Sequence, residues 1–480
     1  MFDEDTITAI STAPGVGAIA IVRVSGQRAF AILGEIFSER KNKTTVSDSK
    51  NNFVPESHRA YIGYIKDPSG ALDPLGADKI IDEVVVVTYR GPNTYTGEDL
   101  VEINCHGSPV VTREILNLIM TRGARLAEKG EFTKRGFLAG RLDLTQAEAV
   151  LDVIHCKTER QSHLALSVLQ GHLGKRIKEI RSRLMELYTR IVAGIDFPEE
   201  VGDLDLADLE PIINESLDEL KDLAQTARSG RFLRDGLKLA IIGRPNAGKS
   251  SLLNRLLNFE RAIVTDIPGT TRDSIEEPVD IRGIPVVVID TAGLRETEDL
   301  VEKIGIERTT RSAEEADLTC ILLDGTETGP LGEESLMAER LKELARPYFV
   351  AVNKCDLLDE KAIAKIKEEK IIAGSLGDPI IISALSGEGI EALKDVIENF
   401  ALFDNSRKEI SASLNERQGA LCLKSVEALS RLAESAQAGL PQDCLASDLR
   451  LAVDALDAIS GQVVTEEILT EVFANFCIGK

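Results

Sequence analysis

The rhythm of hydrophobic and polar positions changes along the chain, and those changes divide it. In the first part, short apolar runs at 18–24, 60–64, 83–89 and 100–104 have the length and residue types of strands, and 110–122 carries a helical period. Polar stretches at 38–52 and 67–78, the second with Pro and Gly, read as loops. This pattern predicts an N-terminal α+β domain over 1–126. After Gly130 the period is helical. Thr145 and Glu148 form a T-x-x-E capping box ahead of Val150, Leu151 and Ile154, and helical patterns continue through 164–169, 177–195 and 209–227. A second helical block covers 415–476. Between the blocks, apolar runs at 237–242, 285–289, 318–323, 348–352 and 379–382 alternate with helical patterns, which implies a parallel sheet with helices on both faces. The economical arrangement is an all-α helical domain in two parts, 127–230 and 405–480, interrupted by an α/β domain at 231–404. Insertion of this kind is tolerated because the ends of a compact domain lie close together on its surface.

Composition narrows the class. A chain of 480 residues is too long for a single core. No apolar run reaches the length of a bilayer span, and the N-terminus is acidic rather than signal-like, so the expectation is a cytoplasmic protein without a membrane segment. The seven cysteines are scattered and contain no C-x-x-C pair, which argues against a disulfide framework or structural zinc. A net charge of −23 argues against a surface that grips nucleic acid throughout, because phosphate neutralisation needs clustered Lys and Arg. The five histidines show no ligand spacing; His106, in N-C-H-G, reads as part of a turn.

The chemistry is concentrated in the inserted domain. Gly243 to Ser250 reads G-R-P-N-A-G-K-S between a strand and a helix, which is the phosphate-binding loop. Its backbone amides, including those of Asn246, Ala247 and Gly248, can face phosphate oxygens at a helix N-terminus. Lys249 can reach the β and γ phosphates, and Ser250, followed by Ser251, can ligate Mg²⁺. Asp290-Thr291-Ala292-Gly293 ends a strand, placing Asp290 for the Mg²⁺ shell and Gly293 for the γ-phosphate. Asn353-Lys354-Cys355-Asp356 ends another, and the Asp356 carboxylate suits guanine N1–H and the 2-amino group. Ser383-Ala384-Leu385 would close over the base with backbone amides. In the loop D-I-P-G-T-T-R-D, from Asp266 to Asp273, Thr271 completes the Mg²⁺ coordination. This is a GTP site by order and spacing. Leu294 stands where many signalling GTPases carry a water-orienting glutamine, so another group must position the water. Glu296 is the candidate for that role, and Asn246 is the candidate for recruiting a monovalent cation to the phosphates.

Several stretches together resemble the MnmE (TrmE) family of tRNA-modification GTPases. They are G-R-P-N-A-G-K-S-S-L-L-N from Gly243, D-I-P-G-T-T-R-D from Asp266, D-T-A-G-L-R-E from Asp290, G-P-N-T-Y-T-G-E-D from Gly91, G-E-F-T-K-R-G-F-L from Gly130, and the ending Cys477-Ile478-Gly479-Lys480. The resemblance implies a multidomain fold, with an N-terminal folate-binding and dimerisation domain, a helical domain and an inserted G domain. It implies GTP hydrolysis dependent on K⁺, held by Asn246, Thr265, Ile267 and Thr270, with Glu296 orienting the water. It further implies a homodimer that acts with an FAD-dependent MnmG (GidA)-like partner on C5 of the wobble uridine of certain tRNAs, using a one-carbon unit from a reduced folate, formyl- or methylene-tetrahydrofolate. The family's folate site maps onto Arg23, Glu102, Arg141 and Lys480, the family carrying lysine in some members at the position of Arg141. Read from the residues alone, Arg23 is a charge in an apolar strand that asks for an anionic partner, whether ligand or internal carboxylate. Cys477 is a candidate catalytic thiol, although no neighbour in sequence identifies an activating base. The competing reading is a ribosome-assembly GTPase switch of the Era or Der kind, which would be expected to carry a basic RNA-binding appendage.

Overall fold

The computed structural model describes residues 5–40, 55–68, 79–201, 206–259, 279–289, 313–327, 332–369, 375–402 and 413–480. These fall into two compact units, 1–151 with 457–480 and 152–456, and the division lies inside two helices.

The first unit is built on a seven-stranded sheet. Its strands are β1 (Ile7–Ile10), β2 (Ile19–Ser25), β3 (Phe37–Glu39), β4 (Arg59–Asp67), β5 (Lys79–Tyr89), β6 (Leu100–His106) and β7 (Arg125–Leu126), in the spatial order β3-β4-β5-β6-β2-β1-β7. Alternation sends Val22, Val24, Val86, Val101 and Ile103 into a core with α1 (Ala29–Ile36) and α2 (Pro109–Thr121), whose Ile32, Leu33, Ile115 and Ile119 face the sheet. The opposite face is partly covered by α3 (Glu131–Leu138), with Ile7, Ala9, Leu100 and Phe132 in a smaller core. Ser38 and Glu39, expected in a loop, pair in β3 against Tyr64 and Gly63; residues 41–52 and 69–78 of the two expected loops lie outside the described residues.

Helix α4 (Leu144–His155) starts earlier than its sequence signal. Asp143, not Thr145, is the cap: its carboxylate accepts from the Gln146 amide at 2.9 Å and from the Thr145 hydroxyl at 2.6 Å, while Gln146 Oε1 accepts from the Asp143 amide at 3.0 Å. The box is therefore D-x-x-Q. It prevails because the carboxylate is the stronger acceptor, and because starting there buries Leu144 completely. At the chain's other end α15 (Glu466–Phe473) packs Leu469 and Phe473 on Leu144 and Ala147.

The second unit holds α5 (Glu159–Leu169), α6 (His172–Asp196), α7 (Pro198–Val201) and α8 (Leu206–Asp235), followed by the α/β segment and then α13 (Glu416–Gln437) and α14 (Gln442–Ser460). The two helical blocks pack on each other: Cys422 Sγ donates to the Leu220 carbonyl at 3.3 Å, and Ser413 Oγ to that of Thr226 at 3.0 Å. The inserted segment contains β8 (Leu237–Ile242), α9 (Lys249–Phe259), β9 (Val279–Ile281), β10 (Ile284–Ile289), β11 (Leu318–Asp324), α10 (Glu333–Glu343), β12 (Tyr348–Asn353), α11 (Glu360–Glu369), β13 (Ile380–Ile381) and α12 (Ile390–Leu402). The strands lie in the order β13-β12-β11-β8-β10-β9, and all pairs are parallel except β9 with β10. Fully buried alternation, as in Leu239 and Ala240 or Phe349 and Val350, divides each strand between a core with α9 and α12 and a core with α10 and α11. Phe232 and Leu233 of α8 belong to the first of these cores. Helix α5 grips the turn between β9 and β10. Thr158 caps α5 and also donates from Oγ1 to the Gly283 carbonyl at 2.7 Å, while Arg160 reaches Glu398 at 3.3 Å.

Candidate functional site: a nucleotide cradle and an anion-ready pocket

In the second unit, the phosphate loop lies between β8 and α9 as its sequence requires. Lys249 Nζ donates to the carbonyls of Gly243 at 2.8 Å and Arg244 at 2.9 Å, so the ammonium lies over the loop it serves. Asn246 is exposed with a left-handed backbone, φ 66°, and Ser250 and Ser251 are exposed at the start of α9. The base-recognition end is tied to this loop by Asn353, which is buried. Its Nδ2 donates to the Ala247 carbonyl at 2.8 Å and its Oδ1 accepts from the Ala384 amide at 2.9 Å. Gly248, φ 96°, is glycine because a Cβ there would run into the Asn353 amide.

Lys354, left-handed at φ 69°, reaches Asp324 Oδ2 at 2.6 Å. Burial pushes the Asp324 carboxyl up, but the bonds from Lys354 and Thr326 outweigh it and hold the group below its ordinary value. Asp356 is exposed in a 3₁₀ turn, Cys355–Leu357. Ser383 is buried and braces its loop, with Oγ accepting from the Ser386 amide at 3.0 Å, while the Leu385 side chain stands in solvent. Asn246, Ala247, Gly248, Lys249, Ser250, Asn353, Lys354, Asp356 and the 383–385 loop thus gather at one end of the parallel sheet, past the carboxyl ends of β8 and β12. An anion would meet the Lys249 ammonium and the N-terminus of α9 there. Thr265, Ile267, Thr270, Thr271, Asp290, Gly293, Leu294 and Glu296 lie outside the described residues. Among the described residues, no group of His, Cys, Asp or Glu is arranged to hold a metal.

In the first unit, Arg23 and Glu102 are cross-strand partners on β2 and β6. Arg23 Nη2 lies 2.7 Å from Glu102 Oε1, so the partly buried arginine has an internal carboxylate. The guanidinium also stands over the rings of Tyr95 at 5.3 Å and Phe132 at 5.5 Å. Arg141 lies over the same Tyr95 ring at 4.8 Å and donates to the Tyr95 carbonyl at 3.1 Å. Burial, and next the Glu102 charge, push the Tyr89 hydroxyl up.

The C-terminal stretch is laid against this place. The Gly130 amide donates to the Cys477 carbonyl at 3.3 Å, the Phe132 amide to that of Lys480 at 3.2 Å, and Ser11 Oγ to that of Gly479 at 3.0 Å. Gly130, left-handed at φ 65°, is glycine because a Cβ there would press on Phe473 and Phe476. Cys477 itself is exposed. Tyr95 and Phe132 sit inside the two motifs quoted from the sequence but draw attention only once the fold stacks them on Arg23 and Arg141. His106 is not merely a turn residue, since its ring Nδ1 lies 2.7 Å from Asp82 and its amide donates to the same carboxylate at 2.8 Å.

A buried charge network supports the loop that carries Tyr95. Arg135 reaches Asp5 at 2.8 Å, Glu98 at 3.0 Å and Glu131 at 2.9 Å. Arg125 binds Asp5 and also Glu131, the latter at 2.6 Å. Ser25 Oγ bonds Thr96 and Glu98, each at 2.7 Å.

A phosphate loop, a guanine-reading sheet end and a shared asparagine between them define a P-loop guanine-nucleotide-binding protein. Residues 6–141 match the family described as GTP-binding protein TrmE N-terminus, and residues 144–477 match the MnmE helical domain. The chain is 43% identical over 485 residues to the tRNA modification GTPase MnmE of Clostridioides difficile (strain 630), with 100% of both chains covered. It is 42% identical over 481 residues to the protein of the same name from Thermoanaerobacter pseudethanolicus, with 99% of both covered. Among solved structures, an Aquifex aeolicus Era variant bound to GDP and AlF4⁻ is 28% identical, covering 40% of this chain and 66% of that one, at a TM-score of 0.27. The chain belongs to the MnmE (TrmE) family of tRNA modification GTPases, and the assembly-switch reading is set aside. No helix among the described residues is long and apolar enough to cross a membrane.

The charge network makes stability pH-dependent. Burial pushes the Glu131 carboxyl up, but bonds from Arg125, the Glu128 amide and Arg135 win and hold it at about 2, against an ordinary 4.5. A depressed carboxyl contributes stability that is fully present above the ordinary value and is lost as pH falls from there towards the folded value. The contribution is on the order of 3 kcal/mol. Thermal unfolding of the first unit should therefore drop steeply between pH 4.5 and 2. Glu131→Gln should lower the melting temperature at pH 7 and flatten that acid slope; an unchanged slope would assign the acid sensitivity elsewhere.

Proposed function

We propose that the chain is a K⁺-dependent GTP hydrolase whose cycle serves modification of C5 of the wobble uridine of certain tRNAs, in a homodimer acting with an FAD-dependent MnmG-like partner. The one-carbon unit comes from a reduced folate bound by Arg23, Glu102, Arg141 and Lys480. The observation that carries the folate reading is the meeting of two arginines on one tyrosine ring, beside the Glu102 carboxylate and the docked C-terminal stretch. A flat heterocycle with an acidic tail asks for those elements: an aromatic face, a carboxylate for ring N–H groups and guanidinium groups for the tail. Cys477 is the candidate thiol at that pocket.

In the nucleotide site, Lys249 leaves the carbonyls of its own loop to meet the β and γ phosphates. Ser250 and Thr271 would hold Mg²⁺ with the help of Asp290, and Gly293 would serve the γ-phosphate. Asn246, with Thr265, Ile267 and Thr270, would hold K⁺, supplying the positive charge that an arginine supplies in other GTPases, where it is worth roughly 10³ to 10⁵ in rate. Glu296 orients the attacking water, since Leu294 has no group to do so. Asp356 accepts from guanine N1–H and the 2-amino group.

Support for the homodimer comes from the sheet face that carries Arg23. On that face Ile62 pairs Val85 across β4 and β5, and Ile19 lies on β2; all three are exposed. Exposed apolar side chains gathered on one sheet face are suited to a second copy of the same surface.

GTP hydrolysis should rise at least about ten-fold when KCl replaces NaCl at equal ionic strength, and Asn246→Ala should abolish the increase; equal rates in both salts would refute the cation role. Arg23→Met should keep K⁺-stimulated hydrolysis yet lose tetrahydrofolate binding by calorimetry and wobble-uridine modification in a mixture with the partner, tRNA and folate. Undiminished folate binding by Arg23→Met would move the folate elsewhere. Ile62→Lys combined with Val85→Glu should convert a dimer to a monomer in light scattering, whereas a persistent dimer would place the interface on another face.

A further inference from the structure

We propose that Arg255 is a positioning residue for guanine recognition, fixing the direction in which the 384–385 peptide offers its N–H. Arg255 lies in α9, the helix whose first residues are Lys249 and Ser250, and no step of the proposed hydrolysis uses it. Its Nε donates to the Ala384 carbonyl at 2.8 Å across 129 positions of sequence. The guanidinium also lies against the far side of the same loop, where a Cβ on Gly387 would stand 3.7 Å from Nη1.

Ala384 is therefore held at both ends. Its N–H is bonded to Asn353 Oδ1 at 2.9 Å, and its C=O is bonded to Arg255. A trans peptide is planar, so its C=O and the following N–H point in opposite directions. Drawing the Ala384 carbonyl towards α9 turns the Leu385 N–H away from that helix. The bond has a charged donor and lies partly out of water, which makes it stronger than an ordinary turn contact. The loop is also braced within itself, through the Ser383 amide to the Glu388 carbonyl at 2.9 Å and the Gly387 amide to that of Ser383 at 2.8 Å, and Glu388 bonds Cys355 beside the base-reading turn. Those bonds set the loop's shape. The bonds from Arg255 and Asn353 set its place relative to the phosphate loop.

The inference rests on the reading of this end of the sheet as a guanine site. Asp356 satisfies N1–H and the 2-amino group, which leaves the 6-oxo group to be met by a backbone donor of the 383–385 loop. Arg255 would then govern recognition at the 6-position without touching the base, and leave recognition at the 2-position to Asp356.

The test compares GDP with 6-thio-GDP, which keeps N1–H and the 2-amino group but replaces the 6-oxygen by a weak acceptor. The full chain and its Arg255→Ala and Arg255→Lys variants are titrated with both nucleotides by calorimetry. In Arg255→Ala, GDP should weaken roughly ten-fold while 6-thio-GDP changes little, so the preference for the oxo base collapses. Arg255→Lys, still able to donate to one carbonyl, should recover part of that preference. Equal weakening of both nucleotides, or none of either, overturns the proposal, because a general loosening of α9 would act on the shared phosphates and not on the base. Failure of the unaltered chain to bind GDP would instead overturn the reading of the site beneath it. Circular dichroism of each variant keeps a folding defect from passing as a loss of recognition.

Discussion

Asn353 is the constraint on which the nucleotide site depends. Its amide is buried at the end of β12 with both polar atoms committed, one to the phosphate loop and one to the base loop. A buried amide that lost either partner would carry a desolvation cost of about 1–3 kcal/mol. The two loops are therefore held at one separation, so phosphate and base are read together. Gly248 follows from the same contact, since any side chain there would displace the amide. Ala247 follows too, as a buried residue whose carbonyl is the acceptor. Two positions of the G-R-P-N-A-G-K-S stretch are thus explained by a residue more than a hundred positions away.

A comparable constraint operates in the first unit, made of charges rather than an amide. Arg135 is almost fully buried, and three carboxylates surround it. An ion cluster of this kind is a poor source of net stability against an apolar replacement, but removal of Arg135 would take from Glu98 its cationic partner and leave Asp5 and Glu131 with Arg125 alone. Its use is positional. It draws together the N-terminal strand, the 91–99 loop and α3, and so places Tyr95 and Phe132 around Arg23. Glu131 has a second task at the start of α3, accepting the Glu128 amide at 2.8 Å.

The α/β segment was legible because its strands are buried on both faces and read as unbroken apolar runs ending in polar motifs. Strand β10 and strands β11 and β12 stand where those runs stand. The two helical blocks were legible by period, and their mutual packing through Cys422 and Ser413 agrees with one interrupted domain. What failed was local. The T-x-x-E signal points to Thr145 as the α4 cap, whereas the Asp143 carboxylate two residues earlier caps the Gln146 amide and starts the helix sooner. Strands β1, β3, β7 and β9 are two to four residues long and carry too little period to stand out. Arg255, Tyr95 and Phe132 could not be singled out, since their roles come from contacts across the fold. Asp324 carries a signal in the sequence: like Asn353, it is a polar residue ending a buried apolar strand.

The arginines link these observations to the acidic composition. Arg23, Arg125, Arg135, Arg160, Arg183, Arg231, Arg234, Arg244 and Arg282 each face at least one carboxylate within the chain. Most of these pairs join elements distant in sequence: Arg282 of the β9–β10 turn faces Glu391 and Glu398 on α12, and Arg234 of α8 faces Asp152 on α4. A guanidinium engaged in this way can neutralise an RNA phosphate only by giving up a bond that holds the fold. With a net charge of −23 besides, gripping tRNA by counterion release is a task that this chain is badly placed to perform over a broad surface.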